Sequence, residues 1–207
     1  MLYIKLCTDC SQDNTQIYPQ HIFAILDIIY KRIQMFEFLK IDDVLDNITL
    51  GENMLGAEFG CGSAVFAVKL ARRLHKGKVY ALDIQEEKLS ALKGRLAHEK
   101  ISNVDTILCD LEVIGGSTLQ DDFLDIVLIP NVLFQVDDKH AMIQEAKRVL
   151  KKGGQLLIID WLKKGSFSPK ETLLSPEEVK KISEELGLAF KKEFVSGDFH
   201  YALLFIK

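Results

Sequence analysis

A glycine turn between an apolar strand and an amphipathic helix constrains this chain more than any other feature of its sequence. Residues 54–64 read MLGAEFGCGSA, so that a short apolar run ends at two glycines, Gly60 and Gly62. Glycine at alternate positions lets the backbone turn sharply with no Cβ in the way, and a ligand can then lie against the main chain. Apolar residues at helical spacing follow from Ala67 to Leu74. We therefore predict a strand, a nucleotide-cofactor turn and a helix whose free N-terminal amides favour a negative group over the glycines.

Four further β-type runs finish in polar residues. The first of them ends in an acid roughly 20 residues beyond the glycines, where a carboxylate can accept both hydroxyls of a ribose. Strands that alternate with helices and finish in polar residues form a parallel sheet with its ligand across the carboxyl edge. The four runs cover residues 78–83, 104–110, 124–129 and 155–159, and the polar residues at their ends are Asp83, Asp110, Asn131 and Asp160.

The last part of the sequence predicts a reversed strand. Ser175 and Glu178 form a capping box with Pro176 at the first helical position, and Gly187 ends the helix that follows. Two β-type runs come next, and residues 196–198 alone separate them, which permits an antiparallel hairpin and forbids a parallel crossover. The predicted fold is α/β, a Rossmann-like doubly wound sheet that is mostly parallel with a C-terminal antiparallel strand.

With these motifs, residues 50–207 resemble the class I S-adenosylmethionine-dependent methyltransferases, and within them the small-molecule type related to the ubiquinone/menaquinone biosynthesis methyltransferases. The first glycine motif of that family has the form acid-x-Gly-x-Gly-x-Gly. Here Glu58, Gly60 and Gly62 match it, and Ala64 stands in the third glycine place. Because alanine is small and we expect position 64 to begin a helix with negative φ, the departure is mild. The resemblance implies the class I methyltransferase fold and methyl transfer from S-adenosyl-L-methionine, with S-adenosyl-L-homocysteine as the product.

The resemblance also implies roles for individual residues. The backbone of residues 60–62 would face the methionine part of the cofactor, and Asp83 would bind its ribose. Ile84 would pack on the adenine, Asp110 would accept its exocyclic amine, and Asn131 would lie beside the sulfonium. No metal site is expected. The complete predicted cofactor-binding set is Glu58, Gly60, Cys61, Gly62, Asp83, Ile84, Asp110, Leu111 and Asn131.

The expected chemistry asks little of the side chains. A methyl group on a sulfonium is already activated, so the protein mainly has to hold a nucleophile in line with it and exclude water. A general base would help if the acceptor is a hydroxyl or an acidic carbon, and the candidates are Asp137, His140, Asp160 and His200. We expect His140 to be exposed in the first turn of its helix, and the catalytic residue stays unassigned.

Two other classes of function compete with this interpretation. A dinucleotide-binding dehydrogenase would need a third glycine at position 65, where the chain has Val65, and further residues for a substrate domain. A module that binds the cofactor without activity and acts through a partner is the second alternative. The acids Glu58, Asp83 and Asp110 are all present, which indicates that at least ligand binding is preserved.

The net charge and the motifs of the chain limit the expected class of methyl acceptor and the expected cellular location. A net charge of −4 argues against broad electrostatic binding to nucleic acid or to an anionic membrane. Residues 129–132 read IPNV and lack the Asp/Asn-Pro-Pro-aromatic motif with which nucleic-acid amino methyltransferases grip a flipped base. We therefore expect a small-molecule acceptor, and a protein acceptor stays open as an alternative. Because residues 1–6 lack the features of a secretion signal and the apolar run 22–30 is too short to span a bilayer, we expect a cytoplasmic protein of unassigned oligomeric state.

We predict a single methyltransferase domain over residues 1–207, with an N-terminal arm and helices over 1–50 and the cofactor-binding core over 51–207. Apolar spacing indicates one long helix over residues 19–40. Tyr18 and His21 stand at its start, and lining of the acceptor pocket is one hypothesis for both.

Cys7 and Cys10 keep no assigned role. A zinc site needs four ligands, and the sequence has no second Cys-x-x-Cys.

Overall fold

The computed structural model describes residues 39–162, 169 and 173–207. The predictions for the helix over residues 19–40, apart from its last two positions, and for Tyr18, His21, Cys7 and Cys10 lie outside the described residues. In chain order the elements are α1 (Ile41–Asp46), β1 (Leu55–Phe59), α2 (Val65–Arg73), β2 (Lys78–Asp83), α3 (Glu86–Glu99), β3 (Val104–Leu108), β4 (Leu124–Pro130), α4 (Lys139–Val149), β5 (Leu150–Trp161), α5 (Pro176–Glu185), β6 (Ala189–Ser196) and β7 (His200–Ile206).

Seven strands form one sheet in the order β3-β2-β1-β4-β5-β7-β6. Strands β1 to β5 are parallel to one another. Strand β7 runs antiparallel to both of its neighbours, β5 and β6. The predicted doubly wound, mostly parallel sheet with a reversed C-terminal strand is therefore confirmed. The chain changes direction across the sheet between β1 and β4, and ligands of open α/β sheets bind at the carboxyl edge of such a switch point.

Apolar side chains cover both faces of the sheet. The face toward α2 and α3 buries Leu70 and Leu128 in one cluster with neighbours from β5 and β7. The opposite face buries Phe59 and Ile129 against α4. Because the central strands are buried on both faces, their sequences read as nearly continuous apolar runs, as in other parallel sheets.

Local signals fix both ends of α5 as the sequence predicts. The Ser175 hydroxyl accepts a hydrogen bond from the backbone amide of Glu178, whose side chain accepts from the amide of Ser175, so the capping box is confirmed. Gly187 has a φ of +78°, the left-handed conformation that ends many helices. Among the helices in the described part of the chain, none combines the length and the apolar character needed to cross a membrane.

The buried carboxylate of Glu145, on α4, fastens the loop after β3 to that helix. The Glu145 carboxylate accepts hydrogen bonds from the amides of Gly115 (2.7 Å) and Ser117 (3.1 Å) and from the guanidinium of Arg148 (2.8 Å). Burial alone would raise the pKa of Glu145, but these hydrogen bonds outweigh it and lower that pKa to about 2. The loop that carries Asp110 is thus tied to the body of the fold.

Candidate functional site

The glycine turn after β1 takes a left-handed backbone at three alternate positions. The φ angles are +70° at Gly60, +46° at Gly62 and +52° at Ala64. A Cβ at Gly60 would lie 2.5 Å from Cγ2 of Val132, which belongs to the loop after β4. The turn therefore needs glycine at position 60 both for its φ and for the close approach of that loop.

The expected negative φ at Ala64 is wrong. Ala64 is the N-cap of α2, and the helix begins one residue later, at Val65. The amide of Ala64 donates to the carbonyl of Cys61, which closes the turn and holds Ala64 in the left-handed region. The third place of the family motif thus requires a left-handed φ, which glycine adopts without strain. Ala64 adopts the same left-handed φ in this chain.

We expect Ala64→Gly to fold as stably as the parent, within about 1 kcal/mol, because relief of the left-handed strain offsets the lost methyl burial and the added freedom of the unfolded chain. Ala64→Val should lose about 2 kcal/mol or more, since a β-branched residue is a true outlier at positive φ. Urea unfolding of both variants measures the difference. Equal stability of the valine variant and the parent would contradict the left-handed assignment.

Two acidic side chains accept hydrogen bonds from backbone amides in and beside the turn. Asp83, at the end of β2, accepts hydrogen bonds from the amides of Gly62 (2.8 Å) and Gln85 (2.9 Å). Glu58 is 2% exposed and accepts a hydrogen bond of 2.6 Å from the amide of Ala67 in the first turn of α2. The sequence predicted that a ligand would meet the N-terminal amides of this helix, and for Ala67 that prediction is wrong. The chain's own carboxyl group satisfies this amide.

Burial raises the pKa of Glu58 to about 8. The amide of Ala67 opposes the rise, and the carboxylate of Asp83 adds to it. Glu58 therefore holds a proton through much of the neutral range, which lets a buried carboxyl group stand close to a second acid.

A pH-dependent loss of stability follows from Glu58. The folded state binds its proton more tightly than the unfolded state does, so this stabilisation is complete below the ordinary pKa of 4.5 and declines as pH rises toward about 8. Glu58→Gln cannot ionise but keeps an oxygen for the amide of Ala67. Relative to this variant, we expect the parent to lose about 2–4 kcal/mol of unfolding free energy between about pH 5 and pH 8. Urea unfolding of both proteins without ligand tests this, and parallel pH profiles would refute it.

A cavity of about 460 Å³ opens above the glycine turn, within the usual size range of small-molecule sites. Most of the predicted cofactor-binding set lines it, and the lining members are Gly60, Gly62, Asp83, Ile84, Asp110 and Leu111. Three members do not line the wall. Glu58 and Cys61 are buried, and Asn131 is half-buried after β4 with its side-chain oxygen lacking a hydrogen-bond partner within the described residues.

Sequence reasoning missed part of the cavity wall. The missed residues are Gln85, Lys88, Cys109, Glu112, Val132, Gln135, Val136 and Met142. Three of these lie within two residues of Asp83 or Asp110, so proximity to a predicted acid was an available signal. The residues from the loop after β4 and from α4 carry no motif, and only the tertiary fold brings them to the cavity.

The four candidate bases differ in solvent exposure, since two are exposed and two are buried. Asp137 and His140 are exposed, as expected for His140. Asp160 and His200 are each 1% exposed. Burial raises the pKa of Asp160 to about 7, against the opposing effect of nearby amides that include Trp161, and burial lowers the pKa of His200 to about 4.

Comparisons with known proteins agree with this geometry. The sequence pattern of the family described as a methyltransferase domain matches residues 51–199. A ubiquinone/menaquinone biosynthesis C-methyltransferase from Hydrogenovibrio crunogenus is 34% identical over 121 residues, which is 58% of this chain and 46% of that protein. A malonyl-acyl-carrier-protein O-methyltransferase from Ilyobacter polytropus is 23% identical over 166 residues, 72% of this chain and 61% of that protein. The chain thus spans about half the length of the curated relatives it matches.

Solved structures show the same fold. The crystal structure of a SAM-dependent methyltransferase from Aquifex aeolicus has 25% sequence identity and a TM-score of 0.75, over 82% of this chain and 90% of that chain. A type 11 methyltransferase structure from Sulfolobus solfataricus has 26% identity and a TM-score of 0.64, over 82% of this chain and 92% of that chain.

Proposed function

Since this chain belongs to the class I S-adenosylmethionine-dependent methyltransferases, we propose that it transfers the methyl group of S-adenosylmethionine to a small-molecule acceptor. One observation carries the proposal beyond family membership. The glycine turn and the acids Asp83 and Asp110, which follow consecutive strands, converge on one cavity. A nucleoside has two ribose hydroxyls and an exocyclic amine, and all of these donate to carboxylates.

The shape of the cavity supports the adenosine half of the cofactor there. Asp83 stands next to Gly62, so its carboxylate can accept a ribose hydroxyl while it keeps its backbone hydrogen bonds. Ile84 is 65% exposed on the same wall and offers an apolar surface to an adenine ring. We propose the full predicted set, Glu58, Gly60, Cys61, Gly62, Asp83, Ile84, Asp110, Leu111 and Asn131, as the cofactor site and its immediate support.

Glu58 weighs against the dinucleotide alternative. In dinucleotide-binding folds a pyrophosphate lies at the N-terminus of the helix after the first strand. Here the buried carboxyl group of Glu58 already binds the amide of Ala67 at that helix end. A pyrophosphate would find one of the amides at this helix end already occupied.

When bound, S-adenosylmethionine supplies a methyl group on a positively charged sulfonium. The task of the chain is then to bind, orient and exclude water. Residues 60–62 and Asp83 form one rigid wall, because the Asp83 carboxylate accepts from the amide of Gly62. The loop after β4 contributes Val132 and Gln135 to the same cavity.

A small acceptor is consistent with the acidic net charge of −4 and with the loop IPNV after β4, which lacks the base-gripping motif. The curated relatives include both a C-methyltransferase and an O-methyltransferase, so the atom methylated is left open. We also propose residues 51–207 as the cofactor-binding core, with residues 1–50 as an arm of the same domain.

Calorimetry with S-adenosylmethionine, S-adenosylhomocysteine and NAD tests the proposal. We expect both sulfur cofactors to bind and NAD not to bind. Incubation with a labelled methyl donor and a small-molecule extract should then give a labelled product. Tight binding of NAD alone would favour an oxidoreductase, and cofactor binding with no transfer to any extract would favour an inactive binding module.

A further inference from the structure

Buried polar atoms without hydrogen-bond partners gather at one edge of the sheet. Within the part of the chain that the structure describes, the residues that carry such atoms are Asn131, Asp160, Ser196 and His200. All four lie where β4, β5 and β6 end and β7 begins, which is the carboxyl edge of the parallel strands. Because buried polar groups are nearly always hydrogen-bonded, such a cluster is a candidate place for a ligand whose polar groups supply the partners.

Two of these residues, Ser196 and His200, form a row with Trp161 on one face of the sheet at this edge. Trp161 of β5 pairs with His200 of β7, which in turn pairs with Ser196 of β6. Directly paired residues of antiparallel strands point to the same face. The next row inward, Ile159 and Ala202, belongs to the apolar cluster on the α2 and α3 side, so the polar row continues that face at its edge.

Asp160 stands outside this row. It pairs with Tyr201, so its side chain is on the opposite face of the sheet, and one of its oxygens accepts from the amide of Trp161. Of the two buried candidate bases, only His200 therefore shares a face with Ser196.

The chemistry of the row is specific. His200 is 1% exposed and Ser196 is 3% exposed, and neither imidazole nitrogen nor the hydroxyl has a partner within the described residues. Burial lowers the pKa of His200 to about 4, so the imidazole is neutral near pH 7 and offers one donor and one acceptor. The ring of Trp161 lies against the imidazole, with centroids 4.3 Å apart and planes at 45°.

We propose that the row of Trp161, His200 and Ser196 binds the methyl acceptor, and that this acceptor is an uncharged, planar molecule with a hydroxyl group. The inference rests on the proposed function. A hydroxyl both donates and accepts, and so satisfies a neutral imidazole and a serine together. A carboxylate only accepts, and a neutral imidazole brings no countercharge for it. A planar ring packs against the aromatic surface of Trp161.

The single tryptophan of the chain gives this site its own signal. In a ¹⁵N-labelled full-length protein saturated with S-adenosylhomocysteine, one indole N–H cross-peak reports on Trp161. We expect phenol to shift this peak in a saturable way. Anisole, which lacks the hydroxyl, and benzoate, which is charged, should bind at least about fivefold more weakly. Equal affinity for phenol and anisole, or preference for benzoate, would overturn the proposal.

His200→Phe separates a binding role from a structural one. Phenylalanine keeps an aromatic ring against Trp161 but removes both unpartnered nitrogens. Affinity for phenol should fall at least about fivefold, while affinity for S-adenosylhomocysteine stays within about twofold and the thermal midpoint does not fall. His98→Phe, at an exposed histidine that is not among the candidate bases, should leave phenol binding unchanged. A lower midpoint with unchanged phenol affinity would show that His200 is structural.

A less disruptive substitution tests the row if His200→Phe does not fold. Ser196→Ala should weaken phenol binding about twofold or more at unchanged S-adenosylhomocysteine affinity, and unchanged phenol affinity would count against the row. The experiment distinguishes a failure of the proposed function from a failure of the acceptor-site inference. Absence of S-adenosylhomocysteine binding by the parent overturns the proposed function, whereas intact binding of that compound without a phenol-induced shift overturns this inference alone.

Discussion

Gly60→Ala is expected to weaken S-adenosylhomocysteine binding by about 100-fold or more, measured by calorimetry. The new Cβ would lie 2.5 Å from Cγ2 of Val132, far inside the separation of about 3.5–4 Å that carbon atoms prefer. Alanine at a φ of +70° adds a strain of about 1–2 kcal/mol. The turn or the loop after β4 must move to relieve the contact, and both line the cavity.

Two further variants separate the clash from the strain. Gly153 has a φ of +80°, and no atom lies within 4 Å of the position that a Cβ would take there. Gly153→Ala therefore imposes the strain without a clash and should leave affinity within about twofold. Val132→Ala removes the clashing methyl groups, and the double variant Gly60→Ala/Val132→Ala should recover part of the lost affinity. Binding by Gly60→Ala at the strength of the parent would contradict the close approach.

Asp83→Ala is expected to weaken S-adenosylhomocysteine binding by about 100-fold. Hydrogen bonds to a charged group contribute roughly 1.5–3 kcal/mol each, and the loss of one or two of them from the ribose gives that factor. The structure adds a second reason. The carboxylate accepts from the amides of Gly62 and Gln85, so its removal also loosens the turn.

Asp105→Ala is the matched control. Asp105 is exposed on the neighbouring strand β3 and pairs with Lys78 at 2.6 Å, a surface ion pair that contributes little. Its affinity should equal that of the parent. Hydrogen exchange at the amide of Gly62 shows how far the turn loosens in Asp83→Ala, and parent-like affinity of this variant would refute the ribose assignment.

The sheet was predictable because its signals are local and repeated. Each buried strand is a short apolar run with a polar end, and the three-residue connection after β6 allows only a reversed β7. The order of the strands does not follow from such signals alone and needed the family resemblance. Element ends were less exact, since β3 stops at Leu108 and leaves Asp110 in the loop.

Without the family resemblance, the site was predictable only where one residue type is chemically required. Gly60, Gly62 and Asp83 follow from backbone freedom and charge, and the structure brings them together. The prediction of a negative φ at Ala64 was wrong because a residue's φ depends on the hydrogen bonds of the whole turn and not on its place before a helix. Two other features depend on packing between strands that are distant in sequence, and hydrophobic periodicity does not encode such packing. They are the part of the cavity wall from the loop after β4 and the row of Trp161, His200 and Ser196.

The place of β7 in the sheet has a consequence for biosynthesis. This strand is translated after β6, yet it lies between β5 and β6. While β7 is still within the ribosome, β5 has no partner on that side, and its apolar segment presents an open edge able to pair with other chains. The glycine turn and its flanking strands come much earlier in the chain, so the nascent protein can assemble the cofactor half while its sheet is still incomplete. Chaperone dependence during synthesis is therefore expected to centre on β5.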